Sequence, residues 1–197
     1  ILMKTKILLL LALLFSSTNL FAHPLLGTQS GFSNGFFHPL SGLDHILAML
    51  AVGIWAAQMG GKAKWIIPIT FVGIMSVGGM LGMNNISLPF AEIGILVSVV
   101  VLGVLILAGV RLPMLVSSIL VGVFALCHGH THGTELPAAA SGVMYAIGFA
   151  LTTIVLHLSG IGFGTAVTKI ANEKIVKFSG AVIALMGLIL SYNYFIQ

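Results

Sequence analysis

His38-Pro39-Leu40-Ser41-Gly42-Leu43-Asp44-His45 sets two imidazoles and a carboxylate at the head of a long apolar run that continues to about Met59. A titratable group near lipid is costly unless it is paired or functional. A second cluster, Cys127-His128-Gly129-His130-Thr131-His132-Gly133-Thr134-Glu135, adds three imidazoles, a carboxylate and the sole cysteine. Imidazole with carboxylate is a donor set for Ni, Co, Zn, Cu(II) or Fe(II), and ligand type alone does not choose among them. Met49, Met80, Met83 and Met144 would suit Cu(I), but methionines in apolar helices chiefly fill gaps in packing.

Local geometry sharpens both clusters. Pro39 suits the first turn of a helix, where no N–H is needed, with His38 as the N-cap. On such a helix His38, Gly42, His45 and Met49 share one face. Asp44 lies about 100° round from His45, placed to orient a neighbouring ligand or to bind an ion itself. Read structurally instead, His38 is a polar cap and Asp44 a partner for another helix. In the second cluster a helix would align His128, His132 and Glu135. An extended chain would align His128, His130 and His132.

Composition names the elements that must hold these groups. The chain is 58% hydrophobic and 6% charged, against about 25% charged residues in soluble domains. Its mean hydropathy is +1.16. This is an integral membrane protein, with a lipid bilayer as its surroundings. The net charge of +4 comes from few residues, and its lysines form no stripe, so nucleic acid is not a partner. A single cysteine excludes an internal disulfide and a multi-cysteine zinc site. No G-x-x-x-x-G-K-[ST] loop is present, so ATP hydrolysis has no site. Twenty-four glycines predict closely packed helices.

Residues 1–22 read as a signal peptide. Lys4 and Lys6 form the basic region, Ile7 to Phe15 the apolar one, and Ala22 ends the cleavage region. An uncleaved anchor is the alternative. Cleavage would give His23 a free amine beside its imidazole, a chelating pair. Pro24 blocks a site along successive amides, and a disordered terminus is the plainer reading.

Residues 23–37 are expected as a short extracytoplasmic lead-in to a single six-helix transmembrane domain, residues 23–197. Apolar segments at about 38–59, 65–83, 91–110, 113–131, 136–158 and 177–195 each approach the roughly 20 residues of a span. The fold class is all-α, a polytopic membrane helical bundle with six transmembrane helices after a cleaved signal peptide. Residues 159–176 are expected as a cytoplasmic turn or short amphipathic helix. Lys62, Lys64, Arg111, Lys169, Lys174 and Lys177 all fall in loops on one side, a positive-inside pattern with the mature N-terminus outside. Asp44, Glu92, Glu135 and five histidines fall at the other side, a mouth that concentrates divalent cations.

His38-Pro39, Gly42, Asp44-His45, Met49 and Gly53 together resemble the motif of the HupE/UreJ family of nickel or cobalt permeases. The run from Cys127 to Glu135 resembles that family's second motif, at the matching place. Cys127 stands where the family has an aromatic residue, and adds a soft thiol there. The likeness covers essentially the whole mature chain. It implies a secondary permease, not an enzyme, in the bacterial inner membrane with a periplasmic N-terminus. The cargo would be Ni²⁺ or Co²⁺, with no permanently bound cofactor. Delivery would be toward a hydrogenase or urease, with nickel metallochaperones downstream. By the same resemblance His38, Asp44 and His45 form the selectivity site, and His128, His130, His132 and Glu135 complete or feed it. Glu92, just after Pro89, could face the same cavity. His157, near the inner end of the fifth span, is a candidate exit ligand.

Two other classes fit the donors. A His/Asp site with an open position could activate water in a membrane metalloenzyme. Ser159-Gly160 with His157 invites a hydrolase reading, but no G-x-S-x-G is present. A sensor or metallochaperone would bind the ion without moving it.

Overall fold

The computed structural model describes residues 31–136, 140–170 and 172–196. The expected signal peptide, and His23 with it, lie outside the described residues. Seven helices run in order among those described: α1 Gly31–Ser41, α2 Leu43–Met59, α3 Ala63–Met83, α4 Ala91–Ala108, α5 Met114–Thr134, α6 Gly142–Ile170 and α7 Glu173–Ile196. The described residues contain no strand. Helices α3 to α7 are each long and apolar enough to cross a membrane, and α1 with α2 makes a sixth crossing if the bent pair is one span. The chain is a multi-pass helical membrane protein.

Glycine decides which helices meet. Without a hydrophobic drive between helices in lipid, association rests on close packing, and small residues let backbones touch. A Cβ at Gly129 would collide with the Met75 carbonyl oxygen, and one at Gly133 with that of Gly79. From the other side, Gly78 and Gly82 sit against the Leu126 and His130 carbonyls. Helices α3 and α5 are thereby interlocked. The same reciprocity joins α2 to α6 through Gly53 and Gly160, α1 to α6 through Gly35 and Gly148, and α4 to α7 through Gly103 and Gly180. Helix α2 is the hub, touching α1, α3, α4, α6 and α7. Its Ala48, Met49, Ala51, Val52, Trp55 and Ala56 are fully buried.

The first span departs from expectation. Pro39 does not open a helix; it lies inside α1, and His38 occupies the last turn of that helix rather than an N-cap. The chain then breaks at Gly42, extended at φ −109° and ψ 128°, and α2 leaves at 82° to α1. Residues 31–37, expected as a lead-in, are helical because Gly31 and Gly35 seat α1 against Ser141 and Tyr145. The turn or short amphipathic helix expected at 159–176 is replaced, among the described residues, by the end of α6 and the start of α7 at Glu173. Helix α6 continues to Ile170, since Gly160 and Gly164 dock that stretch on Leu50, Ile54 and Ala57 of α2. Trp55 Nε1 donates to the Val110 carbonyl at 2.9 Å, and Gln58 to that of Ile106 at 3.1 Å. These bonds tie the end of α2 to the end of α4. Lys64, Arg111, Lys169 and Glu173 line one cleft there, which marks the lysine end of the bundle.

Candidate metal site

Opposite the lysine end, three helix ends converge. Helix α1 brings His38, α2 brings Asp44 and His45, and α5 brings His128, His132 and, just past its last turn, Glu135. The bend at Gly42 makes this possible. On one straight helix His38 and His45 would look the same way; across 82° they face each other's neighbours. Gly42 also leaves the room they need, since a Cβ there would lie 2.6 Å from both Asp44 Oδ1 and His45 Nδ1.

The polar atoms form one chain. Asp44 Oδ1 is 2.7 Å from His45 Nδ1. His45 Nε2 meets His132 Nε2 directly. His132 Nδ1 is 2.8 Å from Glu135 Oε2, and that same oxygen is 3.1 Å from His38 Nε2. An ionised carboxylate only accepts, so each Nδ1 must carry the proton and donate. Both Nε2 atoms of the neutral rings then present lone pairs, and those lone pairs point at each other. Such a pair is stable only around a shared proton or a cation. Ligand atoms of His38, His132 and Glu135 also lie within 4.8 Å of one another. Hydrogen bonds from His132 and then His38 hold the Glu135 carboxyl well below the usual carboxylate range. The chemistry available is reversible capture of a divalent ion by imidazole and carboxylate.

Helical geometry resolves the alternatives in the second cluster. Gly129 and Gly133 face α3, which turns His128 and His132 toward α2. His45 and His128 rings stand 5.5 Å apart, and those of His45 and His132 4.3 Å. His130 points the other way, its Nε2 2.7 Å from the Ile86 carbonyl oxygen. Cys127 turns to α4, where its sulfur packs on Gly94. Glu92 does not share the cavity. It lines a separate cleft with His130, Thr131 and Tyr194. Met49 is buried one turn beyond His45. His157 is not near the end of a span but in the middle of α6, because that helix continues to Ile170.

Three aromatic residues complete the surroundings without having been singled out in the sequence. Phe149 lies 4.8 Å from the His132 ring, and Tyr145 lies 5.9 Å from the His38 ring. The Tyr145 hydroxyl is buried without a hydrogen-bond partner among the described residues. Phe71 stands edge-on to His128 at 5.5 Å. In an apolar helix an aromatic residue carries no local mark of such a position.

Fold and site together define a polytopic membrane protein whose buried imidazoles and carboxylates converge at one end of the bundle. A family model described as HupE / UreJ protein matches residues 10–190. Protein HupE of Rhizobium leguminosarum bv. viciae is 44% identical over 167 residues, covering 84% of this chain and 87% of that protein. The chain belongs to the HupE/UreJ family. No solved structure matches it.

Proposed function

We propose that the chain is a secondary permease that carries a divalent transition metal, Ni²⁺ or alternatively Co²⁺, from the periplasm into the cytoplasm. The facing Nε2 atoms of His45 and His132 carry this reading. Two carboxylates orient those rings so that a cation is the partner they lack. His38 and Glu135 add donors beside them, and His128 lies one step further in. His130 serves by holding the loop at Ile86, and Glu92 acts from its own cleft. Family membership supports a role beside hydrogenase or urease assembly, with nickel chaperones receiving the ion. The lysine end faces the cytoplasm by the positive-inside rule, so the histidine end faces the periplasm of a bacterial inner membrane.

The ion loses part of its hydration at the mouth and gains imidazole and carboxylate in exchange. The ligands are few and staged, which lets the ion leave again. The test is reconstitution into proteoliposomes with Ni²⁺ or Co²⁺ outside. Wild-type protein should accumulate the ion, and His45→Ala and His132→Ala should not, although both reach the membrane. Saturable binding without accumulation would instead identify a sensor or metallochaperone. Turnover of a substrate without ion movement would identify a metalloenzyme.

A further inference from the structure

The capture site leaves two buried imidazoles unexplained. His128 engages the Phe124 carbonyl through Nδ1 at 2.9 Å, and its Nε2 has no hydrogen-bond partner among the described residues. His157 has no hydrogen-bond partner at either nitrogen among the described residues and is 1% exposed. An unpaired buried polar group carries a desolvation cost that nothing repays. A leucine would fill the same space without that cost, so packing does not account for histidine at either position.

Their positions form a series down the bundle. With 1.5 Å per residue, His45 lies about 3 Å along α2 from the histidine end, and His128 about 9 Å along α5. On the same reckoning Phe71 lies about 18 Å along α3, and His157 about 22 Å along α6. A hydrocarbon core is about 30 Å thick, so His157 sits in the half away from the histidine end. Each member touches the next. His45 and His128 rings are 5.5 Å apart, His128 and Phe71 5.5 Å, and Phe71 and His157 5.1 Å. Thr153 Oγ1 and Met75 Sδ, 3.8 Å apart, lie one turn nearer the histidine end than His157 and Phe71.

We propose that His157 is an inner station for the transported divalent ion, reached from His128 Nε2 past the ring of Phe71. The inference rests on the permease reading above. His128 takes the ion from the capture site through its open Nε2. The phenyl ring of Phe71 separates the two imidazoles, offers a face that attracts a cation, and must turn aside for the ion to pass. His157 then offers a single imidazole, with hydroxyl and thioether nearby. That is a weaker set than the capture site, and the ion moves on toward the lysine end. Each step exchanges ligands only; no bond of the protein breaks and no electron moves.

The experiment uses full-length protein in proteoliposomes and in detergent, with Ni²⁺ or Co²⁺ as the probe. His157→Leu and His157→Gln should bind the ion at the capture site with wild-type affinity, yet transport it at least tenfold more slowly. A spectroscopic arm reports on arrival. In a Cys127→Ser background, His157→Cys should give a thiolate-to-metal charge-transfer band on adding Ni²⁺ or Co²⁺. Cys127→Ser alone should give none. Transport by His157→Gln within twofold of wild type, or no band from the His157→Cys protein, overturns the inner station. Absence of transport by the wild-type protein would overturn the permease reading itself, which separates the two failures.

Discussion

At the scale of single residues, the site is ordered by what each carboxylate does to an imidazole. Asp44 and Glu135 fix the protons of His45 and His132 on Nδ1, which presents both Nε2 lone pairs inward. Groups that orient ligands typically account for 10- to 100-fold in metal affinity. Asp44→Asn and Glu135→Gln should therefore each weaken Ni²⁺ binding by about that factor, measured by calorimetry on purified protein. Retention of full affinity by both would contradict the orienting role. A pH effect follows from Glu135, whose ordinary value is 4.5 and whose folded value is depressed by His132 and His38. A depressed acid stabilises the fold above its unfolded value and loses that contribution as pH falls through and below it. The thermal-stability advantage of wild type over Glu135→Gln, metal-free, should thus be full at neutral pH and shrink below 4.5. An advantage that persists undiminished in acid rules the linkage out.

At the scale of elements, glycine sets both the bend and the rotation of each helix. Gly42→Ala puts a methyl group within 2.6 Å of His45 Nδ1 and Asp44 Oδ1. The side chains must move, so the expected result is a folded protein with strongly reduced metal binding, read by calorimetry beside a thermal melt. Gly129→Leu attacks the α3–α5 contact directly. Overpacking a close interface costs about 1–3 kcal/mol, and here the obstacle is the Met75 backbone rather than a movable side chain. A clear drop in melting temperature is expected. Gly162→Ala is the control: no described residue lies within 4 Å of its Cβ position, and alanine favours helix by about 1 kcal/mol. Equal melting of Gly129→Leu and Gly162→Ala would sink the interlocking argument.

At the scale of the whole molecule, the two ends differ in chemistry. Lys62, Lys64, Arg111, Lys169, Lys174 and Lys177 are the only described lysines and arginines, and all fall in connections or the adjoining helix ends at one end of the bundle. The histidine end carries Asp44, Glu92 and Glu135. In a Cys127→Ser background, a cysteine at Asn85 should react with an impermeant maleimide added to intact spheroplasts. One at Lys62 should react only after lysis. The reverse pattern would invert the orientation and with it the proposed direction of transport.

Much of this protein was legible in its sequence, for a physical reason. Spans follow from local hydropathy, and their polarity from which loops carry lysine. The donor types, and the likeness in the two histidine motifs, also needed no coordinates. What the tertiary structure decided is which donors meet. His45 and His132 are far apart in the chain, and the helices that carry them are apolar all round, so no periodic stripe sets their rotation. Rotation came from glycine contacts between helices, which turned His132 inward while sending His130 to Ile86 and Cys127 to α4. The same contacts carried α6 on to Ile170 and placed His157 in the middle of that helix. The bend at Gly42 was invisible for a related reason. It depends on α1 finding its seat on α6, and a helix cannot declare its neighbour until both have folded. The stretch from His38 to His45 supplied candidate donors, and the packing of α1, α2, α5 and α6 determined that they converge with His132 and Glu135.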